Sequence, residues 1–390
     1  MRLIFMVFCL CSLLLTPLAQ AELLVQKQQF ELKEFKTQSG KTIQNVKVGW
    51  EAYGTLNADK SNVILITHYF SGTSHAAGKY QPTDTTPGYW DAIIGPGKAI
   101  NTNKFYVVSM DTLVNANVKD PNVITTGPAS INPDTGKPYG LSFPVVTITD
   151  FVEVQKAFLD SQGINTLYAV IGPSMGSFQA IEWASRYPKR VQRLIAAIGT
   201  AHIDSWSAVR LERWAEPIKA DPNWQQGNYY GKAAQPTAGL ITALAYITQD
   251  ASNPVGFNQK YPESALDKNA HLYIQSELQA WQQLRQAAAA RAVLQDANHI
   301  LYLVRASQLW RVGMQDNWQQ ALGNISAKTL FLPATGDLLL TPDMSAKSQQ
   351  LLLQAGNKAQ LHEIPGNWGH LDGLFNIAAA GPTIKKFLTE

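Results

Sequence analysis

The chain has 390 residues, of which 45% are hydrophobic and 16% are charged, and its formal net charge is +3. This composition is typical of a soluble globular enzyme. No basic run is interleaved with aromatic residues, so nucleic acid is not an expected partner. The length predicts one large domain with an insertion, or two domains.

The first 21 residues are predicted to be a signal peptide. MRLIFMVFCLCSLLLTPLAQA contains Arg2, a short apolar stretch and a small-residue cleavage site at 19–21. An uncleaved membrane anchor is the alternative. Cys9 and Cys11 both lie in this leader, so a mature chain that starts at Glu22 would hold no thiol, and loss of the one arginine would lower the charge from +3 to +2. We expect an exported protein, periplasmic or secreted, with no membrane span in the mature chain.

Short apolar runs alternate with polar, glycine-rich connections as far as residue 201. They are rich in branched residues and predict buried strands at 61–68, 104–110, 166–172 and 191–199. The segment SFQAIEWASRYP follows the third run and predicts a helix that ends at Pro188. Strands that alternate with helices predict a parallel sheet covered on both faces.

The amino-acid composition changes after residue 201. Residues 202–326 are rich in Trp, Gln and Ala and predict a helical cap inserted into the core. Strand patterns return at 327–337 and 359–366, before a terminal helix in GPTIKKFLTE. The predicted core is therefore formed by 22–201 and 327–390. The tryptophans of the cap either line an apolar pocket or pack the cap against itself; these are Trp206, Trp214, Trp224 and Trp310.

Ser174 lies in Gly-Pro-Ser-Met-Gly, between a predicted strand and a predicted helix. In this G-x-S-x-G context the serine sits on a sharp, strained turn, and Gly172 and Gly176 leave room for neighbouring backbone. The turn lies at a helix N-terminus, where the Met175 N–H is expected to stabilise a developing oxyanion. The context predicts a nucleophile, and an ordinary turn is the alternative.

A serine nucleophile needs a base, and the base needs an orienting acid. His370 is the predicted base, because GNWGHLDG places it in a glycine-rich loop just past the last predicted strand. Asp337, at the end of the preceding strand, is the predicted acid. Asp343 and Asp372 are its rivals. The other histidines after Ser174 lie in less suitable contexts; these are His202, His271, His299 and His362.

The turn LITHYFSGTSHAAG follows an early predicted strand and is expected to supply the second oxyanion donor. The Phe70 N–H is predicted, with the Tyr69 N–H as the alternative, and Tyr69 is also a predicted substrate contact. His68 and His75 lack a third metal ligand at a plausible spacing. We therefore expect loop roles for both and no metal site.

Several segments resemble the homoserine O-acetyltransferase family of α/β-hydrolase-fold enzymes. They include SGTSHAAG, PGYWDAIIGPGKAINTNKFYVV, VIGPSMGSFQAIEWASRYPKRV and, in the cap, DANHILYLVRA. The resemblance implies an α/β-hydrolase fold with a mostly parallel central sheet, helices on both faces and an inserted helical cap. It further implies a triad of Ser174, Asp337 and His370, an acyl-serine intermediate, no metal or cofactor, and often a homodimer formed through the cap.

The chain departs from this family at positions that affect the substrate. Members that act on homoserine typically carry an arginine, which binds the carboxylate of the amino acid, where PTAGLITALAYIT has Leu244. Leucine cannot replace a bidentate cation. Ser177 and Phe178 depart from the family's elbow and are expected to reshape the floor of the pocket. An exported enzyme would also meet little acetyl-coenzyme A, a cytoplasmic donor.

These observations favour an exported serine acyl hydrolase that acts on a small-molecule ester. The alternative is an O-acyltransferase that acts on homoserine or another alcohol. In that case Arg210 or Arg213, in VRLERW of the cap, would supply the missing cation, and Arg213 is our predicted substrate contact. A catalytically silent binding protein on the same scaffold is a third hypothesis.

Overall fold

The computed structural model describes residues 23–262, 269 and 271–390, so the predicted signal peptide lies outside the described residues. The strands of the described part are β1 (Gln28–Lys36), β2 (Thr42–Tyr53), β3 (Val63–Thr67), β4 (Ile94–Gly95), β5 (Ile100–Asn101), β6 (Tyr106–Met110), β7 (Ile131–Asn132), β8 (Lys137–Pro138), β9 (Ala169–Pro173), β10 (Arg193–Ala197), β11 (Lys328–Leu332) and β12 (Ala359–Leu361). Its α-helices are α1 (Ile148–Ser161), α2 (Met175–Arg186), α3 (Ser205–Ala220), α4 (Thr237–Ala251), α5 (Pro254–Lys260), α6 (Gln279–Ala292), α7 (Ala297–Gln308), α8 (Trp318–Gly323), α9 (Pro342–Gln354), α10 (Asp372–Phe375) and α11 (Gly381–Thr389).

Eight strands form one sheet in the order β1-β2-β6-β3-β9-β10-β11-β12. The pairs β1–β2 and β2–β6 are antiparallel, and every pair from β6 to β12 is parallel. The central strands β3 and β9 are buried along their whole length. This explains their continuous apolar sequences, because a strand covered on both faces has no polar side.

Alternate residues of the central strands enter two separate apolar clusters, one on each face of the sheet. In β3, Val63 and Leu65 belong to the cluster that contains the buried faces of α1 and α2, whereas Ile64 and Ile66 belong to the cluster that contains α11. Helices therefore cover both faces, as predicted.

The hairpin of β1 and β2 was not predicted. In β1, the half-buried Phe30 and Leu32 alternate with exposed residues and pack against the core, which is the period of a strand with one solvated face. The turn between the strands contains Gly40, whose φ of 81° favours glycine.

In its described part, the chain between β10 and β11 contains the helices α3 to α8. In this segment α3 packs against α4 and α7, and α4 packs against α6. Their apolar faces join the cluster that contains α1 and α2, so the cap rests on one face of the core. Within the described ranges, no helix is both long and apolar enough to cross a membrane.

Candidate active site

Ser174 occupies the sharp turn between β9 and α2. Its backbone has φ 55° and ψ −124°, which non-glycine residues rarely adopt, and its N–H donates to the carbonyl of Ala197 at 2.9 Å. The parallel strand β10 thus holds the strained turn from beside it. This is the geometry of a nucleophile elbow, in which the hydroxyl projects beyond the end of the sheet.

The two glycines of the motif are required by close backbone contacts. A Cβ atom at Gly176 would lie 2.1 Å from the carbonyl oxygen of Thr67, and one at Gly172 would lie 2.2 Å from the Thr67 hydroxyl. Both distances are far below van der Waals contact. Gly172 and Gly176 therefore let α2 and β9 approach the end of β3, as the sequence predicted.

Ser174, His370 and Asp337 form a continuous hydrogen-bonded chain. The Ser174 Oγ lies 2.8 Å from His370 Nε2, and His370 Nδ1 lies 2.7 Å from Asp337 Oδ2. Because an ionised carboxylate only accepts, Nδ1 carries the proton of a neutral imidazole and Nε2 is free to accept from the hydroxyl. His370 and Asp337 are 4% and 1% exposed, so both side chains are largely shielded from bulk water.

Asp337 is fixed by the loop after β11. Its other oxygen, Oδ1, accepts from the N–H groups of Leu339 and Leu340 at 2.8 and 3.0 Å. The rival Asp372 instead accepts from the Trp368 N–H at 2.8 Å, and burial raises the pKa of its carboxyl. The other rival, Asp343, lies in the first turn of α9, where Thr341 is the N-cap residue.

The other histidines that follow Ser174 have different surroundings. His202 stacks on Trp318 at 4.1 Å. His299 is buried, with Nδ1 at 2.8 Å from the Asn115 carbonyl and Nε2 accepting from the Ala129 N–H. His271 and His362 are exposed.

The N–H groups of Met175 and Phe70 are the predicted oxyanion donors. Both residues line the same small cavity as Ser174. In the described part of the chain, neither N–H donates a hydrogen bond to another protein group. Free N–H groups that converge near a nucleophile can stabilise a tetrahedral intermediate, so both residues remain the predicted donors.

His68 holds the loop that carries Phe70. Its Nε2 accepts from the Thr112 N–H at 3.1 Å, so the proton of the neutral ring is on Nδ1, which lies 2.7 Å from the Tyr69 carbonyl oxygen. Burial lowers the pKa of the imidazole and keeps it neutral. The sequence predicts a loop role for His68 but gives no sign of this bond.

His75 takes part in an ion cluster under the same loop. Its Nδ1 lies 3.1 Å from Glu51, which also pairs with Lys27, and its ring stacks on Tyr80 at 4.2 Å. No group of three or more His, Cys, Asp or Glu side chains in residues 23–262 and 271–390 is placed to hold a metal ion.

Two cavities of different size and polarity meet at Ser174. The smaller has a volume of about 30 Å³ and apolar walls that include Phe178, Leu211 and Trp214. Phe178 was predicted to shape the pocket and lies in this wall, whereas Ser177, predicted with it, lines neither cavity. The larger has a volume of about 410 Å³ and also contains His370.

The predicted substrate contacts have different outcomes. Tyr69 lines the larger cavity. Arg213 lines neither of these cavities and Asp250 holds its guanidinium in an ion pair, so its role as a substrate contact stays a prediction. Arg210 pairs with the same carboxylate at 3.1 Å. The remaining oxygen of Asp250 accepts from the Trp214 indole at 2.7 Å.

The tryptophans of the cap divide between lining and packing. Trp214 lines both cavities. Trp310 is fully buried and stacks on Phe178, and Trp224 donates to Asn298 at 2.8 Å. Trp206 is exposed.

Arg291, in the larger cavity, was missed by the sequence analysis. It lies on α6, and its guanidinium donates to the Leu244 carbonyl at 2.8 Å and to the Thr248 hydroxyl at 2.9 Å. The sequence AAAARAV does not indicate that Arg291 lies near Ser174. Which face of this alanine-rich helix points toward the serine depends on how the helices of the cap pack.

Known proteins share this fold and much of this sequence. Residues 127–377 match the family described as alpha/beta hydrolase fold. A homoserine O-acetyltransferase of Methanococcus vannielii is 35% identical over 92% of this chain and 71% of its own length. The solved structure of esterase E22 is 55% identical and has a TM-score of 0.91, covering 94% of this chain and 100% of that one. The homoserine O-acetyltransferase from Bacillus anthracis is 38% identical and has the same TM-score, covering 94% and 98%. The chain therefore belongs to the homoserine O-acetyltransferase-like family of α/β-hydrolase-fold enzymes.

Proposed function

We propose that this protein is a serine ester hydrolase that works through an acyl-serine intermediate. Ser174 is the nucleophile, His370 the general base and Asp337 the acid that orients the imidazole. The observation that carries the proposal is the unbroken chain of hydrogen bonds, 2.8 and 2.7 Å long, that joins these side chains.

In the first half of the reaction the Ser174 Oγ attacks the ester carbonyl carbon while its proton passes to His370 Nε2. The N–H groups of Met175 and Phe70 stabilise the oxyanion of the tetrahedral intermediate. Asp337 stabilises the imidazolium that has formed. The intermediate then collapses, the bond to the alcohol oxygen breaks, and the imidazolium returns the proton to the leaving alcohol.

In the second half the same groups act on water. His370 takes a proton from the water molecule, whose oxygen attacks the acyl carbon. The ester bond to Ser174 breaks and the serine oxygen recovers the proton, which releases a carboxylic acid and restores the site.

The two cavities suggest how the ester lies. The smaller cavity shares its walls with both oxyanion donors, so it suits the acyl group, and a volume of about 30 Å³ favours a short chain. The larger cavity contains His370, which protonates the leaving alcohol, and therefore suits the alcohol part.

Acyl transfer to an alcohol is the second candidate, since curated relatives such as that of Methanococcus vannielii are homoserine O-acetyltransferases. It uses the same acyl-serine, with an alcohol in place of water. We favour hydrolysis because a 55% identical protein is an esterase.

We further propose that the enzyme acts outside the cytoplasm. The support is the leader pattern of residues 1–21 and the confinement of both cysteines to it. Intact mass measurement of the protein from the producing cell tests this, with an N-terminus at Glu22 expected and an uncleaved Met1 form contradicting it.

Two measurements test the reaction. A fluorophosphonate probe should label the protein at Ser174 and fail to label Ser174→Ala, whereas a folded protein that is never labelled would support a silent binding protein.

Turnover of p-nitrophenyl acetate with and without homoserine should give acetate in both cases. Faster turnover with O-acetylhomoserine as product would replace hydrolysis by acyl transfer.

A further inference from the structure

Arg291 reaches the active site from the cap. It lines the cavity that also contains Ser174 and His370. Its guanidinium donates through one nitrogen, Nη2, to two neutral groups on α4, the Leu244 carbonyl and the Thr248 hydroxyl. The guanidinium has five N–H donors, so most of its donors have no protein acceptor among the described residues.

The wall of this cavity is positively charged. It contains Arg291 and the exposed Lys260, and none of its lining residues in the described part of the chain is an acid. Burial lowers the pKa of Arg291, yet an arginine side chain remains protonated. A partly buried cation without a counter-ion is unfavourable, and an anion that enters the cavity relieves that cost.

Other arginines of the cap show the usual arrangement. Arg210 and Arg213 share the carboxylate of Asp250, and Arg285, on the same helix as Arg291, pairs with Glu277 at 2.9 Å. Arg291 differs from all three because no described carboxylate pairs with it, and because it faces the cavity in which the alcohol part of an ester would lie.

We propose that Arg291 binds a carboxylate on the alcohol part of the ester, so that the preferred substrates are short-chain acyl esters of carboxylate-bearing alcohols. This rests on the ester hydrolysis proposed above. The acyl–oxygen bond breaks, water supplies the oxygen of the released acid, and the products are a short carboxylic acid and a hydroxy carboxylate. A guanidinium suits this task because its paired N–H groups match the two oxygens of a carboxylate.

Two esters of nearly identical shape distinguish an effect of substrate charge from an effect of substrate shape. 4-Acetoxybenzoate and 4-acetoxybenzamide share the acetyl group and the ring and differ in the charge of the para substituent. After each kcat/KM is divided by the hydroxide-catalysed rate, the wild-type protein should prefer the benzoate by roughly 10- to 100-fold. Arg291→Gln should bring this preference close to one, and Arg291→Lys should keep part of it.

The ratio of the two kcat/KM values is independent of any general loss of folded or active protein. Two controls make the test more specific. Arg285→Gln makes the same substitution on the same helix away from the cavity and should keep the wild-type ratio. With the wild-type protein alone, 4-hydroxybenzoate should inhibit competitively and 4-hydroxybenzamide should inhibit at least ten times more weakly.

The outcomes separate the two proposals. Equal turnover of both esters by the wild type, with equal inhibition by both phenols, would overturn the carboxylate site and leave ester hydrolysis standing. A parallel loss of both activities in Arg291→Gln with an unchanged ratio would assign Arg291 to the contact between α6 and α4 and also overturn the site. If the wild type neither hydrolyses these esters nor labels at Ser174, the hydrolase itself is wrong.

Discussion

His68 Nδ1 lies 2.7 Å from the carbonyl oxygen of Tyr69, which belongs to the same peptide unit as the Phe70 N–H. In a trans peptide the C=O and N–H groups point in opposite directions. The imidazole therefore fixes the direction of a proposed oxyanion donor that it does not touch. His68 is a positioning residue in this account, and its effect should appear in kcat.

Replacing His68 with alanine should lower kcat by roughly 10- to 100-fold, with a smaller change in KM, because the Phe70 N–H is less well aimed at the transition state. His68→Asn should recover part of the loss, since its amide nitrogen can occupy the position of Nδ1, whereas His68→Gln should not. Steady-state kinetics with p-nitrophenyl acetate gives both constants. Equal kcat in the Asn and Gln variants would exclude the proposed role.

The choice of Asp337 over Asp372 as orienting acid can be tested with matched substitutions. Asp337→Asn should lower kcat by about 10⁴-fold, because the amide stabilises the wrong tautomer of His370. Asp372→Asn keeps an acceptor for the Trp368 N–H and should lower kcat less than about 10-fold. Melting temperatures of both variants verify folding. Comparable losses in the two variants would contradict the assignment.

The size of the smaller cavity should set the acyl chain length. Leu211 is 6% exposed and lines this cavity, so Leu211→Ala should raise the hexanoate-to-acetate ratio of kcat/KM by about 10-fold or more. Leu322→Ala removes the same atoms from a buried site on α8 outside both cavities, and should leave the ratio unchanged while it lowers stability. A series of p-nitrophenyl esters measures both ratios, and an unaltered ratio in Leu211→Ala would move the acyl group elsewhere.

The close contact at Gly176 predicts that a single added methyl group strongly lowers the stability of the protein. Gly176→Ala places Cβ against the Thr67 carbonyl and should destabilise the protein by about 3 kcal/mol or more. Gly381→Ala is the matched control, since its Cβ would lie 3.9 Å from the nearest atom and its backbone is helical. Thermal unfolding compares the two. A Gly176→Ala protein as stable as the wild type would mean that the turn is less tightly packed than the structure has it.

Low pH should reduce the stability that comes from the ion cluster of Glu51, Lys27 and His75, which lies under the loop that carries Phe70. Burial acts to raise the pKa of Glu51, but its hydrogen bonds with His75 and Tyr80 and the charge of Lys27 lower it to about 2, from an ordinary 4.5. The folded state therefore favours the ionised carboxyl. Its stabilisation, about 3 kcal/mol, is complete above pH 4.5 and is lost as the pH falls toward 2.

Urea unfolding of Glu51→Gln tests this dependence. The variant should be less stable than the wild type at pH 6, and the difference should shrink as the pH falls through this window. Glu31→Gln removes an exposed carboxylate from β1 and should change stability by less than about 1 kcal/mol. A constant difference between wild type and Glu51→Gln from pH 6 to pH 3 would contradict the lowered pKa.

The sequence predicts the proposed catalytic residues better than it predicts their surroundings. Ser174 follows from a local motif, and Asp337 and His370 follow from their positions after strands, because the order of a parallel sheet brings strand ends to one edge. Arg291 does not follow from any local pattern, since its orientation depends on how α6 packs on α4.

Errors in the strands also have physical causes. The hairpin β1–β2 is amphipathic and does not follow from continuous apolar runs, because Phe30 and Leu32 alternate with polar residues. The last strand was predicted over 359–366, but β12 ends at Leu361, and only Ala334 and Ile364 form an isolated bridge beyond it.

Ser174 and His370 are 196 positions apart, with the whole cap between them. A ribosome must therefore synthesise the elbow and every cap helix long before the imidazole emerges, and a chain that has folded only its early half lacks the proposed general base. Pairing of β10 with β11 closes this long insertion into a loop, which is slow because distant segments must meet. Reactivity should thus be the last property that the growing polypeptide acquires, after its shape.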